Sequence, residues 1–224
     1  MGFAKKLKRN KDMKSGKLEA RKNARAYSAK AYDTAKRIVD KTRGKVGPAL
    51  TDRMMCYACN ILMKQFNLSA KTCFKFIDGI TDISDSINRR YISLDEVHDV
   101  VRRKHNDGIN YKHVSLGFDR EEYLNQKYMV EGQDLVVAMA NAQMAERMYR
   151  IWYNTEAIFI YILHDRHRFG KKRLDEFISR LREHDIDVTN DMTEHITYLR
   201  ERGMDYKDIE QINTIDIKFG KVSA

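Results

Sequence analysis

The sequence predicts an all-α protein, and three observations support this. Its 224 residues include one proline, Pro48, and 11 glycines. Residue types with high helix propensity are abundant, and apolar residues recur at three- and four-residue steps. With 42% apolar and 33% charged residues and a mean hydropathy of −0.64, the chain is typical of a soluble folded protein rather than a disordered one. We expect two tandem helical repeats preceded by a basic N-terminal arm and a helix.

The first 48 residues are strongly basic. They contain 16 Lys or Arg and 4 Asp or Glu, a net charge of +12, whereas residues 49 to 224 contain 26 basic and 28 acidic residues, a net charge of −2. Residues 1 to 15 have too few large apolar side chains to bury, so we expect a solvated arm. Lys17 to Asp40 has the pattern of a weak amphipathic helix, which Gly44, Gly47 and Pro48 should end. The first domain is therefore predicted to span residues 1 to 48.

Three helices are predicted for the first repeat, residues 49 to 125. They are Leu50 to Phe66, Ala70 to Ile83 and Leu94 to His105, the last ending at Asp107-Gly108. Ser69 and Ser93 are placed to cap the second and third helices, and the polar residues between them predict a loop. A further helix should start at Asp119, and a long helix should run from Gln133 to His164.

The second repeat, residues 126 to 224, is predicted from internal similarity. With an offset of 101, residues 59 to 77 align with residues 160 to 178. The alignment includes the identical pairs Ile61/Ile162, Leu62/Leu163, Lys71/Lys172, Phe76/Phe177 and Ile77/Ile178. Apolar positions are kept as well, which indicates a duplication of one helical unit.

Part of this second copy also resembles a known group of proteins. The segment from Ile162 to Ile178 is similar to a line in small bacteriophage and prophage accessory proteins, in which an apolar helix leads into Phe-Gly-Lys-Lys-Arg-Leu and then a Phe. The first copy resembles the same group in Asn67-Leu-Ser, in the segment from Asp82 to Ile87 and in the segment from Arg90 to Val97. The resemblance covers about half the chain. It implies a phage origin and a helical fold, and it brings no catalytic residues.

The cysteines and histidines are candidate metal ligands. Cys56, Cys59 and Cys73 would suit a Cys₃His zinc site, but the second copy has Ala157, Ile160 and Leu174 in their places, which favours core packing. His164 and His167 lie three residues apart, and His184 and His195 follow. An acid/base or metal site with Asp165, Glu176 or Glu194 would use these histidines, but the paired Glu-x-x-His pattern of bundle metal sites is absent from the sequence. We expect no cofactor and no metal.

Two helical patterns have both a packing and a binding interpretation. The apolar stripe of the long helix contains Met139, Met144 and Met148, and we expect it to be core, with homo-oligomerisation through it as the alternative. Leu199 to Ile212 resembles a helix-turn-helix with Gly203 at the turn. Its second helix carries Asp205, Asp208 and Glu210, which phosphates would repel, so we expect a plain αα turn.

The basic residues give the strongest functional signal, because Lys and Arg at this density suit phosphate contacts. We therefore expect a non-catalytic protein that binds nucleic acid or a nucleoprotein, and the resemblance described above implies a phage protein of the host cytoplasm. The predicted contact residues form the N-terminal basic segment, residues 1 to 30, and a second group that we call the turn cluster, Arg166 to Arg173. The members are Lys5, Lys6, Lys8, Arg9, Lys11, Lys14, Lys17, Arg21, Lys22, Arg25 and Lys30 in the first, and Arg166, Arg168, Lys171, Lys172 and Arg173 in the second.

Other functions remain open at this stage. The N-terminal basic segment could instead be a solvated tail that only makes the protein more soluble, because such a tail would have the same composition. The main alternative is a protein that inhibits a host factor such as a defence nuclease, in the manner of an anti-CRISPR protein, and a third is a metal-dependent enzyme using His164 and His167. A membrane partner is not expected, because no apolar run approaches the about 20 residues that a spanning helix needs and no signal peptide opens the chain.

Overall fold

The computed structural model describes residues 3–102, 135–184 and 191–206, and within the first helix it describes the side chains of residues 20–41 and 44–64. In these ranges the chain forms helices and no strand, so the all-α prediction is confirmed. The helices are α1 (Phe3–Lys64), α2 (Ala70–Asn88), α3 (Leu94–Arg102), α4 (Leu135–Asp165), α5 (Lys171–Arg182) and α6 (Thr193–Glu201).

Helix α1 corrects two predictions. It begins at Phe3, whereas the first helix was expected to start at Lys17 after a solvated arm, and it continues through Pro48, where a break was expected. A proline inside a helix removes one backbone hydrogen bond and costs about 3 kcal/mol. Around Pro48 the helix buries Val46, Ala49 and Leu50. This burial offsets the local cost, and one helix of 62 residues therefore replaces the predicted arm and two helices.

Helices α1 and α4 form the centre of the fold and run in the same direction. Ile151 of α4 lies 3.8 Å from the position of a Cβ atom on Gly47, and at the C-terminal ends the rings of Phe66 and Phe169 are 5.1 Å apart. The predicted Met-rich stripe of α4 lies in this interior, where Met144 and Met148 are buried. The expectation that this stripe is core is thus met at Met144 and Met148, while Met139 is half-buried.

The remaining helices pack on this central pair, and each contacts the central helix that it does not directly follow in the chain. Helices α2 and α3 follow α1 in the chain and both contact α4, whereas α5 and α6 follow α4 and both contact α1. At one end of this arrangement, Nε2 of His98 on α3 lies 3.1 Å from Oδ1 of Asn154 on α4. On the other side, Nδ2 of Asn60 on α1 donates to the backbone carbonyl of His195 on α6 at 3.1 Å.

The turns that follow α1 and α4 have the same backbone geometry at an offset of 101 residues. Leu68 N–H donates to the carbonyl of Leu62, and Phe169 N–H donates to the carbonyl of Leu163. Two residues before the N-cap of the next helix, the backbone φ is left-handed in both turns, 57° at Asn67 and 58° at Arg168. The next helices then start at extended N-cap residues, Ser69 with φ −74° and Gly170 with φ −75°.

The other helix predictions differ mainly at their ends. Helix α2 continues to Asn88 through the polar residues predicted as a loop, while the Ser69 cap is confirmed by its 3.3 Å hydrogen bond from Thr72 N–H. Ser93 also caps α3, accepting from Glu96 N–H at 3.2 Å. Gly203 follows α6 with φ 85°, as a left-handed turn requires. The predictions for residues 103–134 and 207–224, including the helix at Asp119 and the one after Gly203, lie outside the described residues.

Candidate nucleic-acid interface

The described part of the N-terminal basic segment is open to solvent. Arg21, Lys22, Arg25 and Lys30 are all exposed, and among the described side chains of α1 the first buried one is Ala31, with 4% exposure. Two tyrosines in this region, Tyr27 and Tyr32, are 61% and 51% exposed. The predicted contact residues nearer the N-terminus lie outside the described side chains; they are Lys5, Lys6, Lys8, Arg9, Lys11, Lys14 and Lys17.

Basic residues continue along α1 beyond this segment. Between residues 20 and 45 the sequence has nine Lys or Arg and two Asp or Glu, a net charge of +7. Where α1 packs against the body, the cations lie on the solvent side, since Lys36, Arg37 and Lys41 are exposed while Ala35 and Val39 are buried. Sequence reasoning had limited the site to residues 1 to 30 and missed these cations, although their spacing relative to the apolar positions could have indicated them.

The turn cluster is engaged with other side chains of the protein. Arg166 Nη1 lies 2.8 Å from Oδ2 of Asp82 on α2, and Lys171 Nζ lies 2.7 Å from Oδ2 of Asp175. The guanidinium of Arg173 lies 3.8 Å from the ring centroid of Phe169. Two further members, Arg168 and Lys172, are exposed. The carboxylate contacts reduce the positive potential that the sequence predicted for this cluster.

The structure does not bring the two predicted groups together. Lys30 and the end of α1 at Lys64 are separated by 34 residues of continuous helix, about 50 Å at 1.5 Å per residue. The turn cluster lies at this far end, because Phe169 packs on Phe66. The described side chains of the two groups therefore form two separate basic surfaces rather than one contiguous surface.

A cleft of about 410 Å³ lies beside the turn cluster. It is lined by Thr72, Lys75 and Asp78 of α2 and by Arg166 and His167 after α4. Gly79 leaves room for the Arg166 side chain, because a Cβ atom there would lie 3.3 Å from its Nη1. Burial lowers the pKa of His167, helped by the Arg166 and Lys75 charges. Arg166 pairs with Asp82 outside the cleft, and Asp78 contributes a carboxylate to the lining, so the cleft does not concentrate positive charge.

Two other predicted histidines come together elsewhere. The ring of Tyr57 on α1 stacks on His184 at 4.1 Å and meets the edge of His195 at 4.9 Å. Burial lowers the pKa of both histidines, and the Lys64 charge lowers both further. The pair fills the space between α1, α5 and α6, so the arrangement is typical of packing. His164 is exposed.

The cysteines lie in the core, as expected. Cys56, Cys59 and Cys73 are each 0% exposed and are free thiols. Burial raises the pKa of Cys56 to about 12, which keeps this thiol protonated and unreactive at neutral pH. Among the described residues, no group of three His, Cys, Asp or Glu side chains has the spacing of a metal site.

One buried ion pair was not foreseen from the sequence. Glu156 of α4 is 0% exposed, and its Oε1 lies 2.6 Å from Nη2 of Arg182 on α5. Trp152 Nε1 donates to the other carboxylate oxygen at 3.2 Å. Desolvation raises the pKa of Glu156 to about 7, against the opposing effect of Arg182. The pair couples α4 to α5 and lies away from the exposed basic face.

Comparison with known proteins gives no match: no family model, no curated protein and no solved structure is similar to the chain. Within the described ranges, none of the helices has the length and apolar character needed to cross a bilayer.

Proposed function

We propose that the chain is a non-catalytic protein that binds nucleic acid through the exposed basic part of α1. The observation that carries this proposal is the net charge of +7 between residues 20 and 45 on a helix whose described cations in this range are exposed. Phosphates attract such a surface without sequence selection, and binding releases counterions. The turn cluster is at most a secondary contact, because three of its five cations already have partners within the chain.

The salt dependence of binding tests this proposal. Replacing Arg21, Lys22, Arg25 and Lys30 with Gln preserves helix propensity and removes four positive charges. If all four contact duplex phosphates, the slope of log K against log salt should become less steep by about 3 to 4. Titration of labelled nucleic acid by fluorescence anisotropy at several salt concentrations measures this slope.

A matched variant controls for the change in net charge. Replacing Arg89, Arg90, Arg150 and Arg180 with Gln also removes four exposed cations, but from the body of the protein. We expect this control to keep nearly the full affinity and slope. Equal losses in the two variants would contradict binding through α1, because they would show a response to net charge alone.

We infer further that residues 49 to 224 consist of two related helical units that act as the scaffold for α1. Support comes from the identical residues at an offset of 101 and from the equivalent turns after α1 and α4. On the bacteriophage resemblance, the partner would be a nucleic acid or nucleoprotein in the host cytoplasm. A pull-down from bacterial lysate with and without nuclease separates this from inhibition of a host protein, since one stoichiometric protein retained after digestion would favour the inhibitor.

A further inference from the structure

The exposed basic part of α1 is a helix that leaves the body of the protein. Of the side chains from residue 20 to residue 30, all are exposed except Ser28, which is half-buried. Burial starts at Ala31 and continues through Ala35 and Val39. The segment is thus presented to solvent on nearly every side while the same helix is anchored in the core.

Continuity with the core fixes the direction of this segment. No break separates residues 20–30 from the buried part of α1, because the helix runs unbroken to Lys64. A nucleic acid that meets this segment therefore meets a preformed rod, about 10–12 Å wide with its side chains. A preformed element loses less conformational entropy on binding than an unfolded arm would.

The cations of this rod are arranged on one broad arc. At about 100° per residue, Arg21 and Arg25 lie on one flank, Lys22 lies near the middle and Lys30 lies on the other flank, so the arc spans about 180°. Residues 20 to 32 contain no acidic residue. Cations on both flanks suit a helix that has phosphates on both sides, as in a groove, better than one that lies along a single strand. Tyr27 falls outside the arc.

We propose that residues 20–30 of α1 bind double-stranded DNA as a preformed helix in the major groove. The major groove of B-DNA is about 12 Å wide and admits one α-helix, whereas that of A-form RNA is too deep and narrow. A single strand would instead bind by stacking on exposed aromatic rings such as Tyr27. The inference rests on the proposed function and specifies its partner.

A helix-breaking substitution that leaves the charge unchanged tests the inference. In the full chain, Ala24→Pro interrupts the exposed helix seven residues before the first buried position, and Ala24→Ser at the same place is the control. Binding is measured on a 30-base-pair DNA duplex, an RNA duplex of the same sequence and a DNA single strand, at one salt concentration. Circular dichroism and thermal unfolding verify that the body stays folded.

We expect the wild type to bind duplex DNA about tenfold more tightly than the other two, a difference of about 1.4 kcal/mol. Ala24→Pro should remove this preference, while Ala24→Ser and Tyr27→Ala should keep it. Equal binding of the three nucleic acids, or equal behaviour of Ala24→Pro and Ala24→Ser, would overturn the major-groove inference while leaving the proposed function standing. Failure of the wild type to bind any of them would overturn the proposed function itself.

Discussion

Replacing Arg182 with Gln should destabilise the protein increasingly as the pH rises above 7. Arg182 Nη2 lies 2.6 Å from Oε1 of Glu156, whose side chain is 0% exposed. Desolvation raises the pKa of this carboxyl from 4.5 to about 7 even with the arginine present. Without Arg182, the pKa of Glu156 in the folded state must rise further, because the opposing charge is lost.

The sign and size follow from the difference between folded and unfolded pKa values. Because the carboxyl pKa is raised on folding, its contribution to the free energy of unfolding is fully present below pH 4.5 and is lost as the pH rises to about 7. Above pH 7 this contribution no longer changes with pH in the wild type. In Arg182→Gln the loss continues above pH 7 at about 1.4 kcal/mol per pH unit, until the new folded pKa is reached. The difference from wild type should thus grow by about 2 to 3 kcal/mol between pH 6 and pH 9.

Urea unfolding at several pH values measures this, followed by fluorescence of the single, buried Trp152. Arg180→Gln is the matched control on the same helix, because its partner Glu183 is exposed and such pairs contribute about 0 to 1 kcal/mol. In a Glu156→Gln background, Arg182→Gln should have no pH-dependent effect. A pH-independent cost of Arg182→Gln in the wild-type background would refute the assignment of a desolvated carboxylate to Glu156.

Further predictions concern backbone and thiols. Gly79→Ala should destabilise by about 1 kcal/mol, because its Cβ would lie 3.0 Å from Ile162 Cγ2 and the overpacking outweighs the gain in helix propensity. Gly44→Ala, with nothing within 4 Å, should stabilise by about 0.5–1 kcal/mol in the same denaturation assay. Arg168→Gly should stabilise by about 0.5–1 kcal/mol by relieving a φ of 58°. Ellman's reagent should find no reactive thiol in the native protein and three after unfolding; a rapidly labelled native thiol would contradict the buried state of Cys56 and the other two cysteines.

The buried side of a helix could be predicted from the sequence, because it follows from the three- and four-residue spacing of apolar residues within that helix. The spacing of Cys73, Phe76, Ile77 and Ile80 predicts one inward face of α2; Cys73, Phe76 and Ile80 are buried, and Ile77 is half-buried. The caps at Ser69 and Ser93 were predictable for the same reason, since each depends on residues only three positions apart. Local patterns therefore gave the helices and their buried sides.

Helix ends were predicted less well because distant packing decides them. Pro48 is unfavourable in isolation, but Val46, Ala49 and Leu50 around it are buried in the core. Similarly, Ser86 was assigned to a loop, yet its hydroxyl donates to the carbonyl of Asp82 at 2.8 Å within the helix. Neither the burial around Pro48 nor the continuation of α2 through Ser86 could be predicted without knowing how α1 and α2 pack against α4.

The candidate interface shows why charge counts along a sequence do not locate a surface. Arg166 and Asp82 are 84 positions apart, so no local pattern indicates that they pair at 2.8 Å. The continuity of α1 has the larger effect, because it places the N-terminal basic segment and the turn cluster about 50 Å apart. Part of the turn cluster is neutralised and all of it lies at the far end of α1, so within the described ranges the cations of α1 form the continuous basic surface. A nucleic acid bound by this protein should therefore lose affinity through changes in α1 that leave the turn cluster untouched.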